Sequence, residues 1–166
     1  MARAFEFRRA ISADERRLRP LVDAYWLETM PRADTVRTPA ARDAYFARRF
    51  PLGADEPRVF WGLSAGEPVG FVSLSIDGKT AKVNDFYVVP SRRRQGLGAR
   101  LVEAVRGTTD GLGVERLDLN VRRDNPAALK FWESQGFMIG HYELTQYRDP
   151  AKRIGFLGAL SSDFAD

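Results

Sequence analysis

The segment Val88-Val89-Pro90-Ser91-Arg92-Arg93-Arg94-Gln95-Gly96-Leu97-Gly98-Ala99-Arg100-Leu101 restricts the folds open to this chain more than any other stretch. A β-type run stops at Pro90, whose ring cannot donate to a ladder. An amphipathic helix begins near Gly96 and runs to about Arg106. Leu97, Leu101 and Val105 recur every four positions, with Arg100, Glu103 and Arg106 predicted to face outward. The first turn of such a helix leaves backbone N–H groups unpaired and carries the positive end of the helix dipole. Gly96 and Gly98 lack a Cβ, so an anion can approach the backbone closely, and three arginines precede them. Strand, basic loop, paired glycines and helix together predict a diphosphate cradle. Two other phosphate motifs are excluded. A dinucleotide fingerprint needs glycine at the position of Leu101, and a P-loop needs Gly-Lys-Ser/Thr, which the chain lacks.

Upstream, Phe5 to Arg9 alternates apolar and charged residues as a half-buried strand does. Ser12-Ala13-Asp14-Glu15 reads as a capping box opening a helix with Leu18, Leu21, Val22, Tyr25 and Trp26 on one side. Pro20 predicts a kink or a later start. Thr38-Pro39 opens a second helix whose apolar side is Tyr45, Phe46 and Phe50. Arg58 to Ser64, Val69 to Ile76 and Lys82 to Val89 are β-type runs, separated by Ala65-Gly66-Glu67-Pro68 and by the hairpin signal Asp77-Gly78. After the glycine loop come a strand (Glu115 to Val121), a helix (Pro126 to Gln135) and a strand (Phe137 to about Tyr142). A last strand is expected around Glu143 to Arg148, and residues 151–166 are weakly patterned. An antiparallel meander followed by crossover helices predicts an α/β (α+β) fold. Its sheet should be mixed and mostly antiparallel, with about six or seven strands and helices on both faces.

The chain has 166 residues, of which 44% are hydrophobic and 29% charged, so residues 1–166 are expected to form a single domain with its own core. No apolar run is long enough to span a bilayer. Met1-Ala2-Arg3-Ala4-Phe5-Glu6 lacks an apolar signal core, which predicts a cytoplasmic protein. Cysteine is absent, which removes disulfides, thiolate metal sites and a cysteine nucleophile together. The one histidine, His141, rules out a multi-histidine metal site and is left outside the functional set. The net charge of +4 suits an anionic ligand, or a solvated arginine-rich surface.

The glycine loop resembles the diphosphate loop of the GNAT superfamily of N-acetyltransferases, Arg/Gln-x-x-Gly-x-Gly/Ala, matched by Arg93, Gly96 and Gly98. The family's later Asn-x-x-Ala-x-x-x-Tyr helix closed by Gly-Phe is matched by Asn125, Ala128, Trp132 and Gly136-Phe137. The likeness covers roughly residues 83–137. It implies acetyl-CoA as co-substrate and a GNAT-like sheet. By the same resemblance, the pantetheine arm pairs with the backbone of Phe86, Tyr87 and Val88. The backbone of Arg94, Gln95, Gly96, Leu97, Gly98 and Ala99 holds the diphosphate, with Arg93 completing the loop motif. Asn125 and Ala128 flank the pantetheine, and Trp132 occupies the last motif position. Asn125 is in addition a helix cap before Pro126, and Phe131, Trp132 and Phe137 read as core residues.

Acyl transfer needs a neutral amine. At pH 7 only about one in 10³ lysine-like amines is neutral, a deficit of roughly 4–5 kcal/mol. Many relatives place a glutamate just before an aspartate on the strand ahead of the loop, whereas this chain has Asn84-Asp85. Asn84 cannot act as a base but could hold a water, and Asp85 reads as structural, on the other side of the strand. The family's leaving-group acid is a tyrosine at the Trp132 position, and indole does not supply that acidity. Tyr87, Tyr142 and Tyr147 stand open as substitutes. The catalytic candidates are thus Asn84, Asp85 and Tyr142, with a backbone N–H near Val88 for the oxyanion. Tyr25, Trp26, Glu28 and Asp34 are candidates for receiving a cationic acceptor.

The leading expectation is an N-acetyltransferase acting on a primary amine of a small molecule or peptide, by direct attack in a ternary complex. The residues replacing the usual acid–base pair motivate an alternative, a catalytically weak acyl-CoA-binding or sensor domain. An arginine-rich nucleic-acid-binding module ranks last, because the arginines are scattered and no such motif is visible. No membrane partner is expected, and a homodimer is compatible with the reading.

Overall fold

The computed structural model describes residues 5–30, 38–53, 55 and 58–140. Strand β1 (Phe5–Arg9) leads through a short 3-10 turn (Ser12–Asp14) into α1 (Glu15–Thr29), and α2 (Pro39–Arg49) follows. The meander is β2 (Arg58–Ser64), β3 (Glu67–Asp77) and β4 (Thr80–Val88). A second 3-10 turn (Pro90–Arg92) precedes α3 (Leu97–Asp110), then β5 (Arg116–Leu119) and α4 (Pro126–Ser134). The sheet order is β1-β2-β3-β4-β5. The first four strands pair antiparallel, and β5 joins β4 in parallel.

Alternation along the strands builds two separate cores. Val59, Trp61, Leu63, Phe71 and Tyr87 pack with Leu18, Val22 and Trp26 of α1, Phe46 of α2 and Phe50 at the C-cap of α2. Phe60, Val72, Leu74 and Val83 pack with Leu101, Val102 and Val105 of α3 and Trp132 of α4. Each fully buried large side chain contributes about 1.5–3 kcal/mol of transfer free energy. The two clusters are therefore what hold helices on both faces, as the sequence pattern predicts.

Several boundaries differ from expectation. Ser12 does not open α1: its hydroxyl reaches the Leu52 carbonyl instead. The Asp14 carboxylate reaches back to the Ile11 N–H at 2.9 Å, so the cap belongs to a 3-10 turn one step earlier. Helix α1 runs through Pro20. The first hairpin closes with Ser64 opposite Glu67, so Glu67 and Pro68 belong to β3 rather than to the turn. Helix α3 continues to Asp110, past Arg106. Arg106 does not simply face outward. Its guanidinium donates to the Gln135 carbonyl and lies over the Phe137 ring, tying α3 to the end of α4.

Five strands form among the described residues, against the expected six or seven. Residues 137–140 are not strand, so the run predicted from Phe137 is not formed there. The strand predicted over 143–148, and residues 151–166, lie outside the described residues. Two helix starts follow expectation. Thr38 Oγ1 accepts from the Ala41 N–H at 3.1 Å, and Asn125 Oδ1 accepts from the Ala128 N–H at 3.0 Å.

Candidate active site

The site begins where the sheet comes apart. Parallel pairing of β4 with β5 runs from Thr80–Arg116 to Val83–Leu119 and stops. Opposite, on β3, Ser73 pairs with Asp85 and Leu74 with Val83, so Asn84 is an extra residue in β4, a β-bulge. A one-residue bulge exchanges the faces to which the following side chains point. Val83 lies in the α3/α4 core, and so do Phe86 and Val88, while Tyr87 packs under α1 and α2. Beyond the bulge, β4 has no strand beside it on the β5 side among the described residues.

The polar groups of that open edge follow from the register. The Val89 N–H donates to the Val69 carbonyl at 3.0 Å. Successive strand residues direct their backbone groups to opposite edges, so the N–H and C=O of Val88 and Phe86 point away from β3. The Val88 carbonyl already accepts from Arg93 Nε at 2.9 Å, which leaves the Val88 N–H presented to the cleft.

The loop continues that presentation. Gly96 caps α3 at φ +76°, with nothing within 4 Å of an added Cβ. Its glycine answers a left-handed backbone rather than a crowded one. Gly98 answers packing: an added Cβ would stand 3.1 Å from Phe131 Cε2, between α3 and α4. A bulky residue there would press on the core as well as on the loop. Among the described residues, none of the backbone N–H groups from Arg94 to Ala99 finds an acceptor. Gln95 Nε2 donates to the Ser91 carbonyl, and Arg94 is exposed in a left-handed conformation at φ 60°. Converging N–H donors at a helix start, flanked by arginines, suit a diphosphate.

Arg93 is placed differently from its neighbours. Besides holding the Val88 carbonyl, its Nη2 lies 2.7 Å from Glu28 Oε2, and its guanidinium sits 5.5 Å from the Tyr87 ring centroid. The hydrogen bond to Glu28 raises its pKa above the ordinary arginine value. Tyr87 is pushed up by burial first and then by the Glu28 charge. On the far wall of the cleft, Arg122 pairs with Asp124 at 2.7 Å and donates to the Thr29 carbonyl at 3.3 Å. The last turn of α1 thus touches both walls. Asn125 and Ala128 stand at the start of α4 on that far wall. Trp132 is buried among Phe86, Phe131 and Phe137, as a core residue.

Asn84 and Asp85, the two catalytic candidates among the described residues, are held by separate partners. The Asn84 amide donates to Ser75 Oγ at 2.7 Å. Contrary to the alternation expected from the sequence, Asp85 lies on the same face, because the bulge sets two consecutive residues there between Val83 and Phe86. It accepts from the Tyr25 hydroxyl at 3.2 Å and faces Arg49 Nε at 3.4 Å. Burial pushes the Asp85 carboxyl above its usual range, with Arg49 and then the Tyr25 hydrogen bond opposing. Burial and then the Asp85 charge likewise raise the Tyr25 hydroxyl. Tyr142 lies outside the described residues, as do Tyr147, His141 and Asp34. Of the acceptor candidates, Trp26 is fully buried in the α1/α2 core, Tyr25 is engaged with Asp85, and Glu28 with Arg93. Arg49 and Arg122 are not marked in the sequence: the Asp85 partner of Arg49 and the Thr29 carbonyl that Arg122 reaches are both distant along the chain. A groove of about 310 Å3 lined by Ser12, Arg19, Asp43 and Phe50 contains none of the candidate residues.

The sequence profile of the acetyltransferase (GNAT) family matches residues 18–137. The chain belongs to the GNAT acetyltransferase family. Over 80 residues it is 35% identical to the aminoglycoside N(6')-acetyltransferase type 1 of Klebsiella aerogenes, covering 43% of this chain and 53% of that protein. The match thus spans about half of the relative's length. Among solved structures, an aminoglycoside N-acetyltransferase in complex with CoA aligns over 90% of this GNAT chain and 97% of its own, at 18% identity and a TM-score of 0.66. A ribosomal-protein-alanine N-acetyltransferase from Brucella melitensis biovar Abortus 2308 aligns over 87% and 99%, at 17% identity and a TM-score of 0.68. At such identities the likeness is one of fold. Among the described residues, no helix of the GNAT chain is long and apolar enough to cross a membrane.

Proposed function

We propose that this chain transfers an acetyl group from acetyl-CoA to a primary amine of a small molecule or peptide, by direct attack within a ternary complex in the cytoplasm. The observation that carries the reading is the run of N–H groups from Arg94 to Ala99 left without an acceptor among the described residues, contiguous with the edge of β4 that is open among them, in a chain of this family. When bound, acetyl-CoA supplies an activated thioester carbonyl and a thiolate leaving group.

The backbone from Arg94 to Ala99 binds the diphosphate, and the Phe86 backbone on the open edge of β4 aligns the pantetheine as an added strand would be aligned. Asn125 and Ala128 border it, and the Val88 N–H faces the acyl oxygen as charge develops there. Asn84 is neutral and Asp85 is turned toward α1 and α2, so neither is set to take the acceptor's proton. Positioning and desolvation carry the rate, and the acceptor's own ionisation controls it. The partial likeness to an aminoglycoside acetyltransferase makes aminoglycosides the first acceptors to test. The weak acyl-CoA-binding domain remains the second reading, favoured by the Asn84 amide being spent on Ser75.

A melting scan with equal concentrations of acetyl-CoA, NAD and ATP tests the donor. At about 100 times its Kd, acetyl-CoA should stabilise the protein by about 2.7 kcal/mol, with NAD and ATP far behind. Stronger protection by NAD overturns the assignment. A mass-spectrometric screen of amines with acetyl-CoA, including sisomicin and an alanine-terminated peptide, separates the two readings. An acetylated product supports the enzyme, and saturable binding without any product supports the sensor.

A further inference from the structure

Arg93 carries one of the motif positions of the loop, yet its guanidinium is occupied within the protein. Nε holds the Val88 carbonyl at 2.9 Å, Nη2 holds Glu28 Oε2 at 2.7 Å, and the plane lies over Tyr87. Bound this way, the group joins three parts of the molecule: the last turn of α1, the end of β4 and the start of the loop. Turning it to an anion would leave Glu28 without its partner and release the Val88 carbonyl. Its neighbours differ, since Arg94 is exposed with no partner of its own among the described residues.

The Val88 carbonyl matters because the same strand residue directs its N–H to the same edge. A donor fixed on that carbonyl therefore also fixes the direction of the N–H. We infer that Arg93 is a positioning residue rather than a phosphate ligand: it clamps the Val88 carbonyl so that the Val88 N–H stays aimed into the cleft, with Glu28 anchoring the clamp to α1. The inference rests on the acetyltransferase reading for what that N–H meets, namely the acyl oxygen, which acetyl-CoA has and CoA lacks.

That difference supplies the test. A phosphate ligand serves acetyl-CoA and CoA equally, because both carry the same diphosphate. A clamp on the Val88 N–H serves acetyl-CoA alone. By calorimetry, Arg93→Met should raise the Kd of acetyl-CoA about 3- to 10-fold, the worth of one hydrogen bond, and leave that of CoA within about twofold. Arg93→Gln keeps a donor for the carbonyl and should restore most of the acetyl-CoA affinity. Glu28→Gln should weaken acetyl-CoA in the same direction by less. Equal weakening of both ligands in Arg93→Met overturns the inference. So does tighter binding of both in Glu28→Gln, the result expected if that change freed a cation for phosphate.

A measurement on the ligand-free protein keeps the inference separate from the functional reading. In 15N–1H spectra, the Arg93 Hε should be protected from solvent exchange in the wild type, and the Val88 amide should shift in Arg93→Met and Glu28→Gln alike. A freely exchanging Hε, or an unmoved Val88 amide, overturns the clamp whatever binds. If the wild type binds neither acetyl-CoA nor CoA while these signals behave as stated, the functional reading fails and the clamp stands.

Discussion

Two aspartate–arginine pairs in this protein expose almost the same small fraction of their aspartates, yet the two carboxylates shift in opposite directions. Asp14 is 7% exposed and Asp85 is 6% exposed. Arg8 grips Asp14 through two contacts of 2.7 and 2.8 Å, and the Ile11 N–H adds a third. The Arg8 hydrogen bonds hold Asp14 below the usual carboxylate range. Arg49 meets Asp85 only at 3.4 Å through Nε, and both that Nε and Asp85 Oδ2 lack a hydrogen bond. Burial then dominates, and the Asp85 carboxyl sits above its usual range. The comparison teaches that exposed area alone does not set the sign: Asp85 lies deeper in the protein than Asp14, and its desolvation is not repaid because its lone pairs are incompletely met. The satisfied pair stabilises the entry to α1, and the unsatisfied one lies one residue beyond the bulge of the candidate active site.

The largest effect should come from breaking the poorer pair. Arg49→Met keeps much of the stem but leaves Asp85 without its cation, and should cost about 3 kcal/mol in urea unfolding. Adding Asp85→Asn should recover most of that loss. If the single change costs nothing, the two groups are not coupled, and the contrast with Asp14 collapses.

The next effect concerns the better pair and its pH dependence. Asp14→Ala removes a turn cap and both contacts to Arg8, and should cost about 2 kcal/mol at neutral pH. The folded pKa of Asp14 is lowered, so its stabilisation is complete above its ordinary value near 3.9 and disappears as pH falls through the folded value. For Asp85 the folded pKa is raised, so the folded state prefers the protonated acid. Its contribution falls as pH rises from the ordinary value through the raised one. Denaturation midpoints across pH 3 to 8 should therefore show a shallower acid limb in Asp14→Ala. The neutral-pH stability of Asp85→Asn should gain relative to its stability at low pH. Identical profiles for the two variants would remove the distinction.

The smallest effect is on turnover. Asp85 is buried and engaged by Tyr25 and Arg49, so Asp85→Asn should lower kcat/KM by less than about tenfold, the scale below which loss of a general base is not required. The basic limb of kcat/KM should track the pKa of the acceptor. A limb that stays fixed across acceptors and vanishes in Asp85→Asn would make Asp85 the base and overturn its structural role.

Much of this architecture was legible from local pattern. The periodicity of Leu18, Val22 and Trp26, the caps at Thr38 and Asn125, and the glycine loop ahead of Leu97 all depend on neighbours within a turn or two. Such features survive any tertiary arrangement, because backbone geometry imposes them. The capping box at Ser12 was misplaced for the complementary reason. Its Asp14 answers to Arg8 across the turn as much as to the helix, and Ser12 answers to Leu52, far along the chain.

What the sequence alone determined was a mixed sheet with helices on both faces and an anion-ready helix start, since period and glycine placement are written in consecutive residues. What only the tertiary structure decided was the direction of each functional group. The bulge at Asn84 is invisible in composition, yet it exchanges the faces of the residues beyond it. It sends Asp85 toward Arg49, and it opens the edge on which the Val88 N–H stands. Arg93 shows the same division: its place in the loop was readable, but its partner Glu28 meets it only after α1 folds back across the sheet. Charge partners and strand register are set by long-range packing, and no local pattern records which distant group will arrive.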